Sequence, residues 1–263
     1  MTSGPDNKTS TGTSVDKKNL PGTLPPLLAN ALGSGPVPLD VHTLGRTLVL
    51  APHPDDESLG CGGTLALLRR AGLAVHVVFV SDGTLSHPNS ATYPAARLRD
   101  LREAEALEAL RELGVSEWET TFLRLPDRHV PGVGLPGFAE AASRLLVVLN
   151  AFAPTSVLVP FERDPHPGVE QRTLEYLIWL WELGRPDDMP RPGERIAFSV
   201  DINPVLAEKK RAIAAHRSQV TRLIDDDEAS SITERLDDVY AERPFEFDTG
   251  LAALQALAID EDW

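Results

Sequence analysis

His53-Pro54-Asp55-Asp56-Glu57 crowds one imidazole and three carboxylates into five positions, directly after the apolar run Thr47-Leu48-Val49-Leu50-Ala51. Adjacent acids repel one another and lose hydration wherever they are drawn out of water. A divalent cation with imidazole and carboxylate ligands relieves both costs. The plainer alternative is an acidic turn that caps a helix beside a solvated histidine. A second polar cluster, Glu162-Arg163-Asp164-Pro165-His166-Pro167-Gly168-Val169-Glu170, follows the apolar run Ser156-Val157-Leu158-Val159-Pro160. If both runs are strands of one sheet, His53, Asp55 and Asp56 meet His166 at its carboxyl edge, where open α/β sheets bind ligands.

The elements that must position these groups follow from periodicity. Strand-like runs occur at 47–51, 75–80, 121–125, 156–160 and 196–202, with helical patterns at 62–71, 95–113, 137–152, 169–183 and 204–223. Strand alternating with helix predicts an α/β, Rossmann-like fold with a mostly parallel sheet and helices on both faces. Gly60-Cys61-Gly62-Gly63 lacks the dinucleotide spacing, and Cys61 within it reads as a small buried residue. In the helix over 95–113, Arg102 shares the stripe of Ala106, Ala109 and Leu113, so it faces inward. An inward arginine needs either a protein acid or a polar ligand. The loops at 84–96 and 126–136 are expected to shape the pocket mouth. Asp225-Asp226-Asp227-Glu228 reads as a solvated turn.

Composition narrows the partners. The chain has 263 residues, 42% of them hydrophobic and 24% charged, which suits one large globular domain. A formal charge of −14, from 39 acids against 25 Lys and Arg, argues against nucleic acid and anionic membranes. A single cysteine excludes an internal disulfide. Residues 1–43 read as a flexible, largely disordered extension and 44–263 as one domain. With no secretory h-region and no long apolar run, the expected location is the cytoplasm. A homo-oligomer is left open.

Ala51-Pro52-His53-Pro54-Asp55-Asp56-Glu57 resembles the signature of the LmbE-like, or PIG-L, family of zinc-dependent N-acetylglucosaminyl deacetylases. The resemblance runs on through Ser81-Asp82-Gly83, Arg102-x-x-Glu105, Leu113-Gly114-Val115, Asp127, the stretch 164–167, Lys209 and His216-Arg217-Ser218-Gln219, spanning about 46–222. It implies that His53 and Asp56 are metal ligands and that Asp55 is the general base. It further implies that His166 assists the oxyanion or the leaving amine and that Arg102 and Asp127 bind substrate. His216 is read as a packing or supporting residue. The implied cofactor is zinc or another divalent metal, and the implied substrate a small N-acylated molecule.

One departure stands out. The family's His-Pro-Asp-His is His166-Pro167-Gly168-Val169 here, so Val169 occupies the place of the third metal ligand. Catalytic zinc ordinarily takes three protein ligands and a water, so two ligands predict weak binding. His166 is the best substitute, Glu170 the second, and His87 and His129 are outside candidates. The leading expectation is a metal-dependent hydrolase that removes an N-acyl, foremost an N-acetyl, group from an amino sugar or related molecule. The alternatives are a family member without tight metal binding that serves as a small-molecule binding or regulatory protein, and a hydrolase of another amide.

Overall fold

The apolar runs form the middle of a parallel sheet. The computed structural model describes residues 37–160 and 198–227, together with the backbone of 174–176 and 245–248. Strands β1 (Val37–Pro38), β2 (Thr47–Ala51), β3 (Val75–Ser81), β4 (Thr120–Leu125), β5 (Ser156–Pro160), β6 (Leu174–Tyr176), β7 (Phe198–Asp201) and β8 (Phe245–Asp248) line up in the order β1-β7-β8-β6-β5-β2-β3-β4. Pairing is parallel except where β8 runs antiparallel to β6 and β7. The α-helices are α1 (Asp56–Arg70), α2 (Ala95–Glu112), α3 (Phe138–Phe152), α4 (Leu206–Ala215) and the single turn α5 (Arg217–Val220).

Side chains alternate across the strands, and each face collects its own core. Val49, Ala51, Val77 and Phe79 pack with Leu59, Leu65 and Leu68 of α1, Ala106, Ala109 and Leu110 of α2, and Ala212 and Ile213 of α4. Leu48, Leu50, Val78 and Val80 turn the other way and meet Leu145, Val148, Leu149 and Phe152 of α3. Each fully buried leucine contributes about 1.5–3 kcal/mol. The glycines of α1 are explained by packing: a Cβ on Gly63 would sit 2.5 Å from the Ile202 side chain. Cys61 is buried at a kink in this helix, with φ −142°.

The sequence expectation of a mostly parallel α/β sheet holds, with four corrections. Strand β1 lies inside 1–43, the segment read as an extension, and its backbone pairs with β7. Residues 174–176 form a strand within the run read as helix over 169–183; the remainder of that run is outside the described residues. The helix expected over 62–71 begins at Asp56, because its first turn is polar yet buried. The pattern over 204–223 breaks at His216 into two helices.

Candidate active site

Strand β2 has β5 on one side and β3 on the other, so the chain reverses its direction of travel across the sheet at the end of β2. Such a switch point leaves a crevice beyond the strand ends, and His53 to Glu57 occupy it. The His53 backbone N–H donates to Asp56 Oδ2 at 2.8 Å, and its ring Nδ1 lies 3.2 Å from the same oxygen. Ring Nε2 lies 3.1 Å from Asp127 Oδ1, delivered by the loop after β4. Asp127 is held in turn: Oδ2 accepts from Leu85 N at 2.9 Å, and its own N–H donates to Asp82 Oδ1 at 3.2 Å.

Carboxylates near both ring nitrogens stabilise the charged form of an imidazole. Burial alone would lower the His53 pKa, but the hydrogen bonds to Asp127 and Asp56 outweigh it and lift it to about 10. Asp127 shows the reverse. Burial pushes it up, while the His53 hydrogen bond and charge and the Leu85 amide pull it down to about 2. The cluster therefore favours positive charge between its carboxylates.

Asp55, next in line, is pushed up to about 6, chiefly by burial and against the pull of Arg102. Its backbone is strained, with φ 147° and ψ −28°, a conformation that costs an L-residue on the order of 1–3 kcal/mol. Arg102 reaches it from α2, facing inward as its stripe predicts and only 3% exposed. Its Nη2 donates to Pro54 O at 2.7 Å and Asp55 Oδ2 at 3.1 Å, and its Nη1 to Gly83 O at 2.8 Å. Of the two partners open to Arg102 in the sequence, the structure shows the protein acid. Asp127 likewise bonds protein groups through both carboxylate oxygens, His53 Nε2 on one and Leu85 N on the other. Both are buried, and they hold Asp55 and His53 respectively.

The donor set suits a divalent cation. His53 Nδ1 and Asp56 Oδ2 converge, and the opposite ring nitrogen is anchored on a carboxylate, as ligating histidines commonly are. Among the described residues no three His, Cys, Asp or Glu side chains group to hold a metal. His166, Val169 and Glu170 fall outside the described residues. His87 instead places Nδ1 3.1 Å from Ser86 Oγ, and His129 Nδ1 lies 2.9 Å from Asp127 O.

Two features escaped the sequence reading. The acidic loop is more than a solvated turn: Asp225 and Asp226 are exposed as expected, but Asp226 accepts from Ser90 Oγ at 2.6 Å and Thr92 N at 2.8 Å, and the buried Asp227 from Asn89 N at 2.7 Å. It clasps the loop between β3 and α2, and the clue was four acids in chain order beyond the last motif. The other is Glu57, wholly buried, whose Oε1 accepts from Ser58 Oγ at 2.6 Å and His216 Nε2 at 3.1 Å.

The switch point, with a histidine held between two carboxylates and a strained aspartate beside it, defines an α/β protein with a candidate site at the carboxyl edge of its sheet. Residues 48–169 match the family PIG-L, GlcNAc-PI de-N-acetylase. A 1D-myo-inositol 2-acetamido-2-deoxy-alpha-D-glucopyranoside deacetylase from Mycobacterium sp. (strain KMS) is 33% identical over 238 residues, covering 70% of this chain and 77% of the relative. A diacetylchitobiose deacetylase from Thermococcus kodakarensis is 26% identical over 198 residues, covering 66% and 70%. Among solved structures, GalB, the 4-carboxy-2-hydroxymuconate hydratase of Pseudomonas putida KT2440, shares the fold with a TM-score of 0.52 at 21% identity, covering 79% of this chain and 96% of that one. The chain belongs to the PIG-L family. No described helix is long and apolar enough to cross a membrane.

Proposed function

We propose that the chain is a metal-dependent N-deacetylase that hydrolyses the acetamide of an amino sugar conjugate to acetate and free amine. The observation that carries this reading is His53, fixed between Asp56 and Asp127 beside the strained Asp55. The family's name and the two relatives' names each specify removal of acetyl from an amino sugar, which supports the substrate class. The hydratase on the same fold is the reason that the fold alone does not carry the reaction.

His53 and Asp56 would hold zinc or another divalent cation, with His166 the foremost third donor. When bound, the cation supplies a Lewis acid for the amide carbonyl and lowers the pKa of water. Asp55 takes the proton from the attacking water. Arg102 holds the Asp55 carboxylate, and Asp127 fixes the orientation of the His53 ring. If His166 stays free of the cation, it is placed in sequence to protonate the departing amine.

Val169 in place of a ligand favours a second reading, a binding protein on this fold. Acetate release from N-acetylglucosaminyl-inositol, diacetylchitobiose and simpler N-acetyl sugars, with zinc added or chelated, separates the two. Zinc-dependent acetate release is expected. Absence of release from every compound, with no zinc retained, overturns the enzyme reading. Titration of apo protein with zinc tests the third ligand. His166→Ala is expected to empty the site if His166 is that ligand, and Val169→His to tighten it otherwise.

A further inference from the structure

Asp55 is held at each of its backbone polar groups. Its N–H donates to Glu57 Oε2 at 3.0 Å, and its carbonyl accepts from Ser58 N and Leu59 N, each at 3.0 Å. Its Oδ2 meets Arg102, whereas no described residue bonds to Oδ1. A left-handed conformation persists only where the surroundings over-determine it. Two restraints act on the Pro54–Asp55 peptide: Arg102 Nη2 donates to its carbonyl oxygen at 2.7 Å and Glu57 Oε2 accepts from its N–H, so the bond to Glu57 completes a grip that Arg102 begins.

The carboxylate on that amide is itself locked. Glu57 is fully buried, and a buried carboxylate must be neutralised or hydrogen-bonded on both oxygens. Oε2 takes the Asp55 amide, while Oε1 takes Ser58 Oγ and the Nε2–H of His216, 159 residues further along the chain. His216 is 1% exposed and sits at the break between α4 and α5. The same break lets Ser218 donate to Glu105 through N at 2.9 Å and Oγ at 2.5 Å. Glu105 lies three residues after Arg102 on α2. One turn of chain thus grips α1 behind Asp55 and α2 behind Arg102. A glutamate that caps its own helix start does so without help; a buried histidine brought from the far end of the domain serves something further.

We propose that Glu57 and His216 are positioning residues for the hydrolysis, holding the Asp55 backbone in its strained conformation so that the carboxylate stays between Arg102 and the reacting water. This rests on the reading of Asp55 as the general base. The imidazole touches neither substrate nor cation; it acts through Glu57.

The test uses the full chain loaded with zinc and the N-acetyl sugar conjugate that it hydrolyses. His216→Leu and Glu57→Asp, the latter keeping the charge but withdrawing from the amide, are expected to lower kcat about a hundredfold, with KM and zinc content near native values. His216→Gln retains a donor and is expected to recover most of kcat. Crystal structures of His216→Leu and Glu57→Asp are expected to show Asp55 relaxed to negative φ, a readout that needs no activity. Should His216→Leu fail to fold, Glu57→Asp decides alone. Native kcat and an unchanged Asp55 φ in a folded variant overturn the proposal. An active Asp55→Ala overturns instead the reading of Asp55 as base, which separates the two failures.

Discussion

The two faces of the sheet are packed by different rules. Beneath α3 the contact is mainly apolar, with His76 against Phe152 and Arg144 on the Leu123 carbonyl as its polar members, and the helix buries none of its residues completely, leaving Leu146 and Val147 in solvent. Beneath α1, α2 and α4 the apolar core encloses a second layer of buried polar groups: Glu57, Arg102, Glu105, Lys209, His216 and Ser218. Buried charge is expensive wherever it lies. Among the described residues these six lie on the face that carries His53 to Glu57, where stability is given up for geometry. The α3 face need only keep water out.

The sharpest attack on that division is Asp55→Ala. It is expected to reduce kcat by about a thousandfold, within the usual range for a general base, while zinc content stays near native. Asp56→Ala is expected to lower zinc content as well. Equal zinc loss in both variants breaks the separation between base and ligand.

Arg102→Ala comes next. It leaves the Asp55 carboxylate and two carbonyl oxygens without their cation. Removing one partner of a buried pair costs about 3–5 kcal/mol, so urea unfolding and kcat are expected to fall together. A loss of kcat/KM with unchanged stability would support the substrate role implied by resemblance. Gly83→Ala is a milder route to the same damage: its φ is +61°, and a Cβ there collides with the Arg102 guanidinium.

His216 gives a pH signature. Burial works to lower its pKa, but the charge and hydrogen bond of Glu57, followed by the charges of Asp55 and Glu105, raise it above the ordinary 6.5. A folded-state pKa above the unfolded one gives stability that is complete below about pH 6.5 and is lost as pH rises through the folded value. The unfolding free energy of the native chain, measured relative to His216→Gln, is therefore expected to decline across that window. A pH-independent difference contradicts the charged pair.

The smallest effects belong to the other face. Leu149→Ala, half-buried under the sheet, is expected to cost about 1–2 kcal/mol without change in kcat. Val147→Ser, at a position 67% exposed, is expected to stay within about 0.5 kcal/mol of native. A fall in kcat from either would mean that the faces are coupled.

Sequence made the central strands legible because β2, β3 and β5 are rich in Val and Leu and largely buried, with His76 the one strongly polar interruption inside them. It placed Arg102 inward for the same kind of reason, a 3.6-residue stripe. Strands β1 and β8 escaped because two or four residues carry no period, and their identity depends on partners far along the chain. The helix start at Asp56 escaped because its buried residues, Glu57 and Ser58, are polar, and polarity reads as exposure. The partners of Asp127, Asp226 and His216 were hidden likewise. Each is a long-range hydrogen bond, which residue type permits but cannot specify.

That long reach has a consequence for how the molecule assembles. Strands β2 to β4 and the helices between them need only neighbours in sequence, so they can form early. The clasp on the mouth loop joins Asn89 to Asp227 and Ser90 to Asp226, 138 and 136 residues apart, and the Glu57–His216 contact spans 159. Such closures come late, because chain entropy is spent before the contact repays it. If Glu57 and His216 position Asp55 as proposed, a folding chain is expected to hold β2 to β4 before Asp55 takes up its strained conformation, and to become competent once residues 216–227 dock. In refolding, acetate-releasing activity is expected to return after the far-UV signal, with the interval measuring how long Asp55 waits for its final restraint.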